Sequence, residues 1–305
     1  MTLESAETID VHAHAVLEAT MGAAGAHGPT LSYDARPTFK VANYELAGVQ
    51  YRGSPFMDPD LRIRAMDQAG IDFQILSPNP LTYFHFIEAV QGQAFCRTHN
   101  DALSALVQNY PDRLAAFASL PMQDIGFAVE ELERAVRELG FLGAYIGTDF
   151  GMPLNDVRLN PFYEKLVDLN VPLFIHPAQE TIAVCTLIYG GVLQRYPELD
   201  ICLSHGGGAT GYAYGRMRMA AQKRPWASAE LQVDGAFDAL LHRLWFDTHV
   251  HDSASLALLT QHVNEAHLVF GTNFSGWDQQ DYNVRQEAKP YTHNAQRLLR
   301  AGAIT

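Results

Sequence analysis

Polar residues close several of the chain's apolar runs, and their types suit metal and acid–base chemistry. In Ile9-Asp10-Val11-His12-Ala13-His14, two imidazoles stand two residues apart at the end of such a run. Residues i and i+2 of a strand share a side, so His12 and His14 can converge on one point, as metal ligands must. His176 closes Leu173-Phe174-Ile175-His176-Pro177, and His205 follows Cys202-Leu203-Ser204. Neutral imidazole suits zinc and other divalent transition metals, which makes His12, His14 and His176 a candidate metal set. His205 reads as an acid–base group rather than a fourth ligand. Its following Gly206-Gly207-Gly208 either lets backbone and substrate approach closely or simply opens a helix. Asn273 ends Leu268-Val269-Phe270-Gly271-Thr272-Asn273, where chemistry of this kind usually has a carboxylate.

These residues need a frame that brings strand ends together. Short apolar runs recur at 8–11, 73–76, 114–120, 143–146, 173–175, 201–203, 244–246 and 268–270. They are continuous rather than alternating, as in parallel strands buried on both faces. Helical segments lie between them. Asp58 and Pro59 give an N-cap and a first-turn proline, and Gly70 a stop. Residues 126–139 form an amphipathic helix whose polar face carries Glu130, Glu131, Glu133, Arg134, Arg137 and Glu138. A third helix spans 161–170. Alternating strand and helix with eight strands predicts an α/β fold, a (β/α)8 TIM-type barrel in one domain over residues 1–305. The surplus length falls at 15–57, rich in Gly, Ala and Pro, and reads as a long loop inserted after strand 1 over the barrel mouth. Active sites of such barrels lie at the C-terminal ends of the strands.

Secondary candidates follow from position. Arg52, in the long loop, could clamp a substrate carboxylate; a surface arginine is the alternative. Phe84 and Trp277, in loops after strands 2 and 8, could line a pocket for a planar substrate or pack in the core. His249 and His251 flank Val250 just after strand 7, so one can face the site. His27, His85, His99, His242, His262, His267 and His293 read as surface or loop residues.

Composition narrows the setting. The net charge of −13 argues against nucleic acid and anionic membranes as partners, while a small anionic substrate stays compatible through local groups. No apolar run reaches the roughly 18 residues of a membrane span. Three widely spaced cysteines without a CxxC, and no visible signal peptide, fit a reducing cytoplasm.

The motifs Asp10-Val11-His12-Ala13-His14, Ile175-His176-Pro177, Ser204-His205-Gly206-Gly207-Gly208 and Phe270-Gly271-Thr272-Asn273 together resemble the amidohydrolase superfamily. Stretches at 58–67, 119–123, 133–141 and 247–252 narrow the resemblance to its aminocarboxymuconate-semialdehyde decarboxylase group. The resemblance implies a divalent metal, usually zinc and sometimes manganese, held by His12, His14 and His176, with no organic cofactor. It implies that His205 is the acid–base histidine and that Arg52 lies where the group places a substrate-binding arginine. It further implies a homodimer and non-oxidative loss of carbon dioxide from an aromatic or ring-opened unsaturated carboxylic acid. A hydrolase or hydratase of a ring-cleavage product is the competing activity. The departure is Asn273, where the family has an aspartate that binds metal; Phe274-Ser275-Gly276-Trp277 also departs from the family's aromatic-Pro continuation. Asn is a weak ligand and no base. It therefore leaves three readings: an engineered substitution, a natural branch binding metal through three histidines, or a weakly active or non-catalytic homologue.

Overall fold

The computed structural model describes residues 2–33, 36–176, 179–274, 276, 278 and 284–302. Twelve strands occur among them: β1 Ile9–Ala15, β2 Thr30–Ser32, β3 Thr38–Val41, β4 Tyr44–Ala47, β5 Phe73–Pro78, β6 Leu114–Ala116, β7 Ala118–Ser119, β8 Ala144–Ile146, β9 Leu173–Ile175, β10 Ile201–Leu203, β11 Trp245–Asp247 and β12 Leu268–Val269. Parallel pairing runs β1-β5-β6 and, separately, β7-β8-β9-β10-β11-β12. β6 and β7 are halves of one extended stretch, interrupted at Phe117, whose N–H still donates to Leu76 O at 2.9 Å. The last strand returns to the first. Val11 N donates to Phe270 O at 3.0 Å, and His14 N to Phe274 O at 2.7 Å. Eight strand positions therefore follow one another around a ring, with helices between them, which is the (β/α)8 barrel.

The expected strands are found, with shifted ends. β1 runs four residues beyond Val11 because all seven of its residues are buried, His12 and His14 included. Hydrophobicity alone stops at the first imidazole. Asp10 lies fully buried behind these histidines. It accepts from His12 N, Gln74 Nε2, Thr272 N and Thr272 Oγ1 at 2.7–3.1 Å, tying β1 to β5 and to the segment that carries Asn273.

Helix signals also hold. Leu61 N donates to the Asp58 carboxylate at 3.0 Å, and Gly70 ends that helix at φ 78°. The amphipathic helix is Ile125–Arg137, capped by Asp124, and the third is Asn160–Asp168. One face assignment fails. Glu131, placed on the solvent side, is fully buried and accepts from Asn100 and Arg134. It is covered by a 20-residue helix, Ala89–Gln108, that periodicity does not reveal. The buried stripe of that helix holds Phe95, Cys96 and Leu103 but also Gly92, His99 and Asn100. His99 is thus a buried residue, not a surface one.

The segment after β1 is not a plain loop. It folds into an antiparallel sheet, β2-β3-β4. Along Thr38-Phe39-Lys40-Val41 the burial alternates. Phe39 and Val41 pack with Tyr51, Phe84 and Phe95 in a cluster beside the barrel mouth. Among the described residues, no helix is long and apolar enough to cross a membrane.

Candidate metal centre and acid–base site

β1 and β9 deliver three imidazoles to one place. The ring centroids of His12 and His14 lie 5.1 Å apart, those of His12 and His176 4.9 Å, and those of His14 and His176 5.2 Å. One ligand-type atom from each falls within 4.8 Å of the others. The Nε2 atoms of all three are buried and have no hydrogen-bond partner.

Neighbouring groups choose the tautomers. His12 Nδ1 lies 2.6 Å from Asp247 Oδ2. A carboxylate only accepts, so the proton sits on Nδ1 and the Nε2 lone pair is left open. The Ser77 hydroxyl spends its proton on Ala13 O at 2.8 Å. It therefore accepts from His14 Nδ1 at 3.1 Å, and His14 Nε2 is likewise unprotonated. Burial first, and then the crowding of imidazoles, holds His12 and His176 well below the usual histidine range. His14 is pushed down to about 3, with burial outweighing the neighbouring Asn273 amide. Neutral imidazoles with inward lone pairs are the form that binds metal.

His205, just past β10, stands 4.7 Å from His176 between ring centroids. Its Nδ1 is 2.9 Å from Glu180 Oε1, and its Nε2 is buried without a partner. Burial presses its pKa down, but Glu180, Asp247 and Asp278 more than offset this, and the net shift is upward. Three buried imidazoles suited to stay neutral thus adjoin one suited to carry a proton. Such divergence between neighbours is a mark of functional sites.

A cavity of about 260 Å³ opens onto this group, lined by His14, His176, His205, Asn273 and, from the segment after β1, Tyr44, Leu46, Val49 and Tyr51. A second, of about 330 Å³, lies on the other side of His205, against His249, His251 and Asp278. His251 Nε2 is 2.9 Å and His249 Nε2 3.3 Å from Asp278 Oδ2.

Five residues singled out from sequence therefore meet: His12, His14, His176, His205 and Asn273. His251 borders the second cavity. Arg52 is not brought to the site, because its guanidinium is half-exposed and paired with Glu18. Phe84 is a core residue, 1% exposed, with its ring 4.6 Å from that of Phe95. Trp277 lies outside the described residues. Glu180 and Ser77, which set the imidazole tautomers, escaped sequence reading. Position after β9 was the one available signal for Glu180.

The family model described as Amidohydrolase matches residues 9–297. The chain belongs to the amidohydrolase family. It is 30% identical over 239 residues to 2-amino-3-carboxymuconate-6-semialdehyde decarboxylase of Dictyostelium discoideum, covering 71% of this chain and 66% of that protein. It is 29% identical over 242 residues to 2-keto-4-carboxy-3-hexenedioate hydratase of a Sphingobium species, covering 70% and 69%. The barrel resembles that of a dihydroxybenzoic acid decarboxylase from a Polaromonas species solved with manganese and 2-nitroresorcinol. The TM-score is 0.75 at 22% identity over 96% of each chain. The chain thus spans about two thirds of the length of these curated relatives.

Proposed function

We propose that this protein is a metal-dependent, non-oxidative decarboxylase of an aromatic or ring-opened unsaturated carboxylic acid. The observation that carries this reading is three buried, unpartnered imidazole nitrogens beside His205, whose own Nε2 is buried and unpartnered, with His14, His176 and His205 lining one cavity. The donor set fits a divalent cation, which His12, His14 and His176 would hold through Nε2. Zinc suits the imidazoles, and manganese is bound in the solved Polaromonas relative. When bound, the cation would act as a Lewis acid toward a substrate oxygen, binding the acid and offsetting its negative charge.

The chain's own residues supply the remaining steps. Tyr44, Leu46, Val49 and Tyr51 give the cavity apolar walls that suit a planar ring and exclude water. Glu180 holds His205 with its Nδ1 proton outward from the cavity and Nε2 toward it. Protonated His205 gives its Nε2 proton to the carbon that bears the carboxylate, so a C–H bond forms as the C–C bond breaks. Carbon dioxide leaves, the electron pair of the broken bond returns to the unsaturated system, and His205 recovers a proton from solvent. Unsaturation in the substrate makes an organic cofactor unnecessary.

The test is carbon dioxide release from a panel of hydroxybenzoates and carboxymuconate semialdehydes. Release should vanish on chelation, return with zinc or manganese, and fail in His205→Ala. Full activity in metal-free protein overturns the reading. The hydratase relative supports a second one, in which His205 moves a proton during water addition. Oxygen incorporation from labelled water without carbon dioxide selects it. The family resemblance and cysteine usage also support a cytoplasmic homodimer, which sedimentation velocity checks for assembly.

A further inference from the structure

Asn273 stands where the family has its metal-binding aspartate, and its surroundings define which end of its amide faces the centre. The residue is 3% exposed. Its Nδ2 donates to Asp278 Oδ1, while its Oδ1 is buried without a hydrogen-bond partner. An amide can present either end to a neighbour, but a carboxylate only accepts. Asp278 therefore takes the NH2 end and leaves the carbonyl oxygen for the other side. There Asn273 shares a cavity with His14 and His176, whose Nε2 atoms are unpartnered too.

Asp278 is itself held, since its Oδ2 faces the Nε2 atoms of both His249 and His251. The backbone brings the pair together. Asn273 adopts φ 52°, a left-handed conformation that Asn tolerates better than most residues. Gly276 N then donates to Asn273 O at 2.7 Å. A Cβ on Gly276 would fall 2.4 Å from the Asn273 amide, so the turn passes over that amide only because residue 276 is glycine.

We propose that Asn273 supplies its amide Oδ1 as a neutral fourth donor to the cation held by His12, His14 and His176, with Asp278 as the positioning residue that orients it. This rests on the metal-centre reading above. A buried carbonyl oxygen without a partner is costly, and a cation removes that cost. An amide in place of a carboxylate leaves the centre one unit more positive, which an anionic substrate can then balance. Its oxygen also moves the donor set toward metals that accept carbonyl ligands, manganese among them.

The experiment loads metal-stripped protein with cobalt(II) and reads affinity by chelator competition and coordination by the visible spectrum, with circular dichroism confirming the fold. The parent should bind about one ion, and His176→Ala should lose it. Asn273→Ala should weaken binding ~10- to 100-fold and change the spectrum. Asp278→Asn should weaken it comparably, because an amide at 278 accepts either end of Asn273. In the Asn273→Ala background, Asp278→Asn should add nothing. Gly276→Ala, which displaces the amide without removing it, should repeat the loss. Unchanged affinity and spectrum in Asn273→Ala, or additive losses in the double variant, overturn the inference while leaving the three-histidine centre standing. Unchanged binding in His176→Ala overturns the centre and the inference with it.

Discussion

Glu180 Oε1 lies 2.9 Å from His205 Nδ1 and settles which nitrogen of that ring can act. With Nδ1 committed to the carboxylate, Nε2 is the atom left to exchange protons with a substrate. The groups facing His205 are Glu180, Asp247 and Asp278, which favour its charged form, and His12, His176 and His249, which crowd it. Glu180→Gln removes one of the negative charges, so the folded pKa of His205 falls. The alkaline limb of the kcat–pH profile should then move to lower pH while the fold is retained. His205→Ala should cost kcat about 10²- to 10⁴-fold. An alkaline limb that stays in place in Glu180→Gln would show that another group supplies the proton.

Arg52 separates the sequence expectation from the structure. Its guanidinium is bound to Glu18, at the outer surface of the segment after β1. Exposed pairs of this kind contribute little. Arg52→Ala should therefore change kcat/KM by less than about fivefold. A loss of two orders of magnitude or more would restore Arg52 as the carboxylate clamp.

What the sequence discloses depends on whether the signal is local. The barrel strands read clearly because burial on both faces makes them continuous apolar runs. His12, His14, His176 and His205 read clearly because each stands at or just past such a run. Ala89–Gln108 does not, since its buried stripe includes Gly92, His99 and Asn100, whose tertiary partners cannot be read from spacing. Asn100, for example, bonds Ser119 and Glu131. Arg52 misleads for the same reason, as its partner is 34 residues away. Phe84 does too, because only the folded β3 shows that its ring packs in a cluster with Phe39. The alternation in Thr38-Phe39-Lys40-Val41 was present but too short to stand out from a Gly- and Ala-rich stretch.

The buried imidazoles of the centre contribute to the acid sensitivity of the fold. An unfolded histidine titrates near 6.5. In the folded protein His12 and His176 sit well below that, and His14 near about 3. As pH falls below about 6.5 the unfolded chain takes up protons that the folded chain refuses, so stability falls with it. His205 acts in the opposite sense: its raised pKa stabilises the fold below the unfolded value, and this is lost as pH rises through the folded one. His85 and His99, each pushed down to about 4 by burial, and His267, also lowered, act in the same sense as the three. With six histidines against one, Tm of metal-stripped protein should drop from pH 7 to pH 5. His14→Gln should make the slope shallower. A Tm flat across this interval would contradict the burial of neutral imidazoles.

Asp247 offers the sharpest test of tautomer control. Its Oδ2 accepts from His12 Nδ1, while its Oδ1 accepts from Gly206 N at 3.0 Å and His249 N at 3.2 Å. In Asp247→Asn the amide carbonyl must stay with the two backbone donors. The NH2 group then faces His12 Nδ1, which has to accept. The ring proton moves to Nε2 and covers the lone pair that a metal needs. Metal affinity should fall ~10- to 100-fold, although the substitution changes almost no volume. Chelator competition at pH 7 reads the effect, and unchanged affinity would mean that Asp247 does not set the His12 tautomer.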